Sequence, residues 1–328
     1  MQKPNNRHLR ISITTGDPDG IGSEVAAKAL HRLGPQEDVQ FLFWRSPQCP
    51  RSHLHLLEKK FSRISIKDHA DVWTLPYDHR EIIDVISPAA PAAWVWSSAH
   101  ACMAGLCDAL VTGPLSKTGQ KAAGFTQLGH TEMLAKISGR KNLFMGFVGE
   151  HFGVVLTTAH VPLAAVKKHL TAKRLSLAIE HALQLRQLLP KAKRTLPIAV
   201  VGLNPHAGEQ GLIGREEHSL MQPLLKRFRQ RGHLLLGPLV PDAAFLPHMQ
   251  EQISIYVCPY HDQGLIPFKM VHGFDQGIHL TMGLPFVRTS VDHGTAKELF
   301  TKNQASEGSM LEALTSAIYL CQTERGLL

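Results

Sequence analysis

Short runs of apolar, largely β-branched residues alternate along the chain with stretches in which apolar residues recur every three or four positions. The first pattern suits strands and the second suits one face of a helix. Strands are predicted over 10–15, 40–44, 108–112, 142–148, 152–157, 197–203, 253–258 and 279–282. Helices are predicted over Ser23–Leu33, Ser97–Leu106, Thr131–Ile137, Leu163–Leu189, Glu216–Arg231 and Glu307–Leu320. The segment 84–96, with Pro88 and Pro91 in an Ala-rich neighbourhood, reads as a connection. Strands alternating with helices from end to end predict an α/β protein with a largely parallel sheet. No internal repeat or low-complexity tract interrupts this order.

The polar residues with chemistry fall mostly where the apolar runs stop. Thr15-Gly16-Asp17-Pro18-Asp19-Gly20 follows the first run, Thr112-Gly113-Pro114 the third, and Thr157-Thr158-Ala159-His160 the fifth. Asn204-Pro205-His206-Ala207-Gly208-Glu209 and Pro259-Tyr260-His261-Asp262-Gln263-Gly264 follow later runs. In open α/β sheets ligands bind outside the carboxyl ends of the strands, so these loops are expected to serve one site.

Composition narrows the class. With 328 residues, 44% hydrophobic and 19% charged, the chain has ample material for a folded core, which excludes disordered and fibrous proteins. No apolar run approaches the roughly 20 residues of a membrane span. The polar, basic stretch Met1–Arg10 has no apolar core of a secretory signal, so the cytoplasm is the expected address. Five scattered cysteines, Cys49, Cys102, Cys107, Cys258 and Cys321, form no C-x-x-C pair and suit a reducing compartment rather than a disulfide framework. The net charge of +8 is spread in ones, twos and threes without an aromatic-interleaved stripe, so it favours an anionic small substrate over nucleic acid. The unusual count is histidine, at 20.

His160, His206 and His261 each follow a predicted strand closely. Three imidazoles from separate loops suit a divalent ion with an open coordination position, although each residue alone is equally an ordinary loop histidine. Gly16-Asp17-Pro18-Asp19-Gly20-Ile21-Gly22 is either a glycine-rich anion loop or a tight turn leading into the Ser23 helix; its two carboxylates weigh against phosphate. Gly129-His130-Thr131-Glu132 opens a helix, as a cap or as hydrogen-bonding groups for a ligand at its N-terminus. Lys269 and Arg288 lie in Pro- and aromatic-rich contexts that would partly bury them, and a buried cation wants an anionic partner. Asp292-His293-Gly294-Thr295-Ala296 is a loop that admits a flat ligand close to the backbone, or a plain helix start.

In order along the chain, eight segments resemble the 4-hydroxythreonine-4-phosphate dehydrogenase family of pyridoxal phosphate biosynthesis. They are Gly16-Asp17-Pro18-x-Gly20-Ile21-Gly22, Val111-Thr112-Gly113-Pro114, Gly129-His130-Thr131-Glu132 and Thr157-Thr158-x-His160-x-Pro162-Leu163. The others are Gly202-Leu203-Asn204-Pro205-His206-Ala207-Gly208-Glu209, Gly237-Pro238-Leu239-x-x-Asp242, Tyr260-His261-Asp262-Gln263-Gly264-Leu265 and the stretch from Gly283 to Ala296. The resemblance implies an isocitrate/isopropylmalate dehydrogenase-like fold with two α/β/α subdomains flanking a central cleft. One subdomain is expected over 1–126 and 297–328, the other over 127–296. It also implies a homodimer whose interface completes each active site, with one divalent metal (Zn, Mg, Mn or Co) on His160, His206 and His261. His130, Thr131, Lys269, His279 and Arg288 match substrate-binding positions. The loop Asp292, His293, Gly294 and Thr295 matches the adenine-side loop for NAD or NADP.

The implied reaction is oxidation of 4-hydroxythreonine 4-phosphate at C3 followed by decarboxylation to 3-amino-2-oxopropyl phosphate, with Asp242 or Asp262 moving the proton. Three positions depart from the family pattern: His279 where Asn is usual, Ser23 where Pro is usual, and Asp19 where a small residue is common. His279 keeps open a related metal- and NAD-dependent enzyme acting on threonate or erythronate 4-phosphate or on a cyclic dihydrodiol dicarboxylate. A non-catalytic metal- or nucleotide-binding protein on the same fold is the alternative of another class.

Overall fold

Each strand predicted from the hydrophobic pattern is a strand in the protein, with its ends within two residues of the expected ones. The structure, a computed structural model, describes residues 8–67, 71–122, 124, 129–273 and 277–324. Residues 1–7 of the basic N-terminal stretch lie outside them. The strands are β1 Leu9–Thr14, β2 Val39–Arg45, β3 Ser62–Ile66, β4 Glu81–Ile86, β5 Ala109–Thr112 and β6 Phe144–Gly149. They continue with β7 Gly153–Leu156, β8 Ile198–Val201, β9 Leu235–Leu239, β10 Ile255–Cys258, β11 Gly277–Met282 and β12 Val287–Val291.

Four of these strands, β3, β4, β9 and β12, escape the pattern. In β12 the buried Arg288, Thr289 and Ser290 break the apolar run. β3 is part-exposed and short, and β9 carries Gly237 and Pro238 inside it. The reading of 84–96 as a connection is corrected: β4 runs to Ile86 and a helix occupies Pro91–Met103. Pro91 sits at the first helical position, where its missing N–H costs nothing, so this proline starts a helix rather than marking a loop. The long helix expected over Leu163–Leu189 is broken, because Leu170 leaves the helix and Thr171 caps a new one, Ala172–Leu185, by accepting from the Arg174 N–H at 3.2 Å. The helix expected from Glu216 opens with a wide turn, Glu217–Met221, before Gln222–Gln230; Pro223 in its first turn supplies no N–H to regular pairing.

The chain divides into two compact units. Unit 1 comprises Met1–Leu143 and Leu284–Leu328, and unit 2 comprises Phe144–Gly283. The sequence reading divides the chain instead after 126 and after 296. Tertiary packing moves both boundaries: the helix His130–Ser138 buries Met133 and Leu134 with Val95, Ala99 and Phe286, and β12 pairs with β5.

Unit 1 holds six strands in the order β3-β4-β2-β1-β5-β12, each parallel to its neighbours. Its β2 is buried at every position, as a strand covered on both faces must be. Leu42, Trp44, Ile83, Val85 and Trp94 form one of its clusters. Unit 2 holds the order β11-β6-β7-β10-β8-β9. There β7, β10, β8 and β9 are parallel, while β6 runs antiparallel to both β7 and β11. Its core is aromatic: Phe152 meets Tyr256 and Phe268 edge-on at 5.2 and 6.0 Å between ring centres.

Candidate functional site

In unit 2 the three predicted metal ligands leave the carboxyl ends of three consecutive parallel strands. His160 follows β7, His261 follows β10 and His206 follows β8, with β10 between the other two. Parallel pairing puts those ends on one edge of the sheet. The first two loops are also pinned to each other. The Thr157 and Thr158 N–H groups donate to the carbonyls of Cys258 and Pro259 at 2.8 and 3.1 Å, and the Thr158 hydroxyl donates to Pro259 at 2.7 Å.

The imidazoles of His160 and His261 stand 5.7 Å apart between ring centres. His261 is the first residue of the helix His261–His272, not a loop residue as its sequence context suggests. Its Nδ1 lies 2.7 Å from the Asp262 carboxylate, which fixes Nδ1 as the donor and leaves Nε2 with a lone pair for a metal. The donor chemistry therefore fits a divalent ion. His206 does not complete the group within one chain: among the described residues no three His, Cys, Asp or Glu side chains are arranged to hold a metal.

His206 sits in an unusual backbone. From His206 to Gln210 five consecutive residues are left-handed, with φ of 51°, 49°, 80°, 43° and 54°. Only Gly208 adopts this freely; each L-residue costs about 1–2 kcal/mol there. Such a turn persists only where its surroundings impose it. The buried Glu217 is the clearest such surrounding, with one carboxylate oxygen accepting from the Leu203 and Asn204 N–H groups, both at 2.7 Å. Lys269 lies half-buried two turns along the His261 helix, and His279 on β11 stacks on Phe147 at 4.9 Å and 18°. Asp242, in the turn after β9, is exposed, as is Asp262.

Unit 1 carries a different kind of place. Arg288 on β12 is 3% exposed, and its guanidinium donates to the Thr112 hydroxyl at the end of β5 at 2.6 Å. Burial pushes it down to about 9. Nearby, His130 opens the helix His130–Ser138; its Nε2 is shielded from solvent and has no hydrogen-bond partner among the described residues. Burial first, and then the Arg288 charge, hold His130 well below the usual imidazole range, so the ring is neutral. Thr131 lies inside the helix and Gly129 occupies the cap position without a side-chain bond, so neither caps through a side chain.

The Asp292–Ala296 loop follows β12. The Asp292 N–H donates to the Ser309 hydroxyl at 3.0 Å, and the His293 Nδ1 lies 2.9 Å from the Gly294 carbonyl. Thr295 accepts from the Ile21 N–H at 3.0 Å, so this loop packs on the Gly16–Gly22 turn. That turn is closely packed: a Cβ on Gly22 would lie 1.7 Å from the Thr15 carbonyl oxygen. Its carboxylates are engaged within the chain, Asp17 by the Ser116 N–H at 3.2 Å and Asp19 by Lys297 at 2.6 Å. The turn is thus built to support the Asp292–Ala296 loop, and its acidic residues are not turned over to phosphate. A cavity of about 880 Å³ among Trp73, Trp96, His100 and Lys136 contains none of the predicted residues.

The family model for "Pyridoxal phosphate biosynthetic protein PdxA" matches residues 36–317. The chain belongs to the PdxA family. A 4-hydroxythreonine-4-phosphate dehydrogenase of Methylococcus capsulatus is 41% identical over 94% of this chain and 96% of its own length. One from Aquifex aeolicus is 36% identical over 93% and 96%. The crystal structure of the Klebsiella pneumoniae enzyme superposes with a TM-score of 0.71 at 28% identity, covering 96% of this chain and all of the other. A terephthalate 1,2-cis-dihydrodiol dehydrogenase of Burkholderia xenovorans reaches 0.63 at 25% identity, over 97% and 98%. A β-decarboxylating dehydrogenase of Thermococcus kodakarensis, at 13% identity and 0.59, shares the fold over 97% of this chain and 86% of its own.

Within this PdxA-family chain the structure brings His160 to His261 and His130 to Arg288, and it packs the Asp292–Thr295 loop on the glycine turn. Sequence reasoning missed Thr112 as the partner of Arg288, Asp262 as the partner of His261, and the pair Glu216-Glu217 beneath His206. Two adjacent carboxylates just after a glycine-rich loop were the available signal for the last.

Proposed function

We propose that this protein oxidises 4-hydroxythreonine 4-phosphate at C3 with NAD and then decarboxylates the β-keto acid to 3-amino-2-oxopropyl phosphate. The observation that carries the reading is the set of three histidine loops on consecutive parallel strand ends, in a chain up to 41% identical to relatives of that name. When bound, NAD takes the hydride, and a divalent ion on His160, His206 and His261 supplies the Lewis acidity that favours loss of the C3 hydroxyl proton and then of CO₂. Arg288 and Lys269 hold the anionic groups of the substrate. His130, held neutral, orients the substrate through an Nε2 that has no partner among the described residues, with Thr131 beside it. Asp262 keeps His261 in one tautomer and is engaged with it, which leaves Asp242, exposed in the turn after β9, as the candidate to carry the hydroxyl proton to solvent and return one to carbon after CO₂ leaves. The Asp292–Thr295 loop takes the adenine side of the cofactor.

We infer a homodimer from the surface around the histidines. Leu163, Leu212 and Met270 are 70%, 87% and 81% exposed, each on a segment that carries a metal ligand. Large exposed apolar side chains on these three segments suit a face that another subunit covers, and a partner's residues would complete the metal group. Among the described residues no helix is long and apolar enough to cross a membrane, and the five buried cysteines are free, in keeping with a cytoplasmic enzyme.

His279 supports a second reading, in which a sugar-acid 4-phosphate or a cyclic dihydrodiol dicarboxylate replaces the amino-acid phosphate. Its ring is held against Phe147 where the family pattern has Asn, which changes the shape and hydrogen bonding offered to substrate. The test is NADH formation from 4-hydroxythreonine 4-phosphate, from threonate and erythronate 4-phosphates and from a dihydrodiol dicarboxylate, each with and without a chelator. Chelator-sensitive turnover of the first compound is expected. Turnover confined to another acid transfers the function there, and NAD binding without NADH formation from any of these compounds leaves only a binding protein.

A further inference from the structure

Glu217 is 1% exposed, yet it belongs to no candidate catalytic group. Its Oε1 accepts from the Leu203 and Asn204 N–H groups, both at 2.7 Å, and its Oε2 accepts from the Asn204 amide at 2.9 Å. The same Asn204 amide nitrogen donates to Glu216 at 2.9 Å. Glu216 in turn pairs with Lys167 at 2.7 Å, and the Lys167 and Asn204 bonds hold its carboxyl down to about 2. A carboxylate here is required, because both of its oxygens face donors only. The left-handed turn is built directly on it: a Cβ on Gly208 would lie 2.7 Å from the Glu217 Oε2, and one on Gly214 would lie 2.2 Å from the Asn204 amide nitrogen.

We propose that Glu217, through Asn204, is the positioning residue that holds the left-handed turn presenting His206, and that Lys167–Glu216 ties this turn to the segment following His160. This rests on the reading of His206 as a metal ligand. The physical reason is that a left-handed run of His, Ala, Glu and Gln has no local preference to support it, so its geometry must be imposed from outside. Outer partners of metal ligands act in this way, and their loss typically weakens metal binding about 10- to 100-fold.

The prediction concerns metal affinity more than folding. Glu217→Gln keeps the size of the side chain but turns an amide donor toward the Asn204 donor, and Asn204 cannot flip to suit it without facing the Glu216 carboxylate. Co²⁺ titrated calorimetrically into the metal-free full-length chain, with its visible spectrum recorded, is the probe. The expected result is about 10- to 100-fold weaker binding by Glu217→Gln with an altered ligand-field spectrum, and a smaller, several-fold loss by Glu216→Gln. The triple variant Asn204→Asp, Glu216→Gln, Glu217→Gln reverses donor and acceptor roles and should recover much of the affinity.

Binding by Glu217→Gln within about two-fold of wild type, alongside a lowered Tm, would make Glu217 a purely structural residue and overturn the proposal. If Glu217→Gln does not fold, Glu216→Gln decides: unchanged Co²⁺ affinity overturns the proposal. If His206→Ala itself binds Co²⁺ as wild type does, the metal reading fails first. Loss of binding in His206→Ala but not in the glutamate variants sinks the positioning role alone.

Discussion

In unit 1 the Arg288 side chain and the His130 Nε2 are closed off from solvent, whereas in unit 2 His160 and His206 are exposed and His261 is half-buried. Arg288 and His130 each suffer from burial, one losing hydration of its charge and the other losing its charge outright. A fold retains such groups where a ligand makes good the loss, and the ligand complementary to a dry cation and a neutral ring is an anion with hydroxyl groups. His160 and His206 bear no comparable burial. What is costly at His206 is the backbone, a run of five left-handed residues, as a turn that must aim an imidazole in a fixed direction would be. One unit is thus organised around charge and the other around geometry.

The largest effect that would break this contrast is on the geometric side. His206→Ala should lower turnover at least about 100-fold, beyond the upper end of what outer partners cost, and should lower bound metal with it. Near-wild-type turnover and metal content, by elemental analysis of the purified variant, would remove the metal scheme. Arg288→Met should raise KM roughly thirty- to several-hundred-fold, from about 2–4 kcal/mol of lost charge-assisted contact. The same variant should leave the Tm of the ligand-free protein unchanged or raised, since it removes a desolvated cation. A large drop in Tm with unchanged KM would mean that Arg288 serves the fold.

The pH dependence of stability sharpens the same point at smaller scale. His130 is held well below its ordinary value by burial, and His53, His181 and His272 are also lowered. Below the unfolded value of about 6.5 the unfolded chain takes up protons that the folded chain refuses, so stability falls as pH drops from there toward the depressed folded values. Each such group contributes a slope of at most about 1.4 kcal/mol per pH unit. Denaturant unfolding at a series of pH values should show this fall, and His130→Asn should flatten part of it. An unchanged slope in that variant would show that His130 titrates as freely as an exposed ring. The smallest change expected is His279→Asn, which should leave stability within about 1 kcal/mol and alter relative kcat/KM among the phosphorylated acids by a fewfold. Identical selectivity before and after would remove His279 from substrate recognition.

Much of this was legible in residue order. The alternation of apolar runs and helical periods located eight strands and the loops that follow them, because burial on both faces of a parallel sheet leaves a continuous apolar signature. Where burial was filled by polar residues, as in Arg288-Thr289-Ser290 of β12, that signature vanished and the strand was missed. Pro91 misled because a proline that begins a helix and one that breaks it look alike in sequence.

The sequence by itself determined the ligand types, the glycines and the family, since these depend on which residues are present and on their short-range spacing. Only the folded structure decided which groups bond: that the Asp262 carboxylate turns onto the His261 Nδ1, that Thr112 meets Arg288, and that Glu217 accepts from the Leu203 and Asn204 N–H groups before His206. Strand order decides the Thr112–Arg288 contact, which joins β5 to β12, and strand order follows from how apolar surface is shared among all the elements at once. No local stretch of the chain encodes it, so no local reading recovers it.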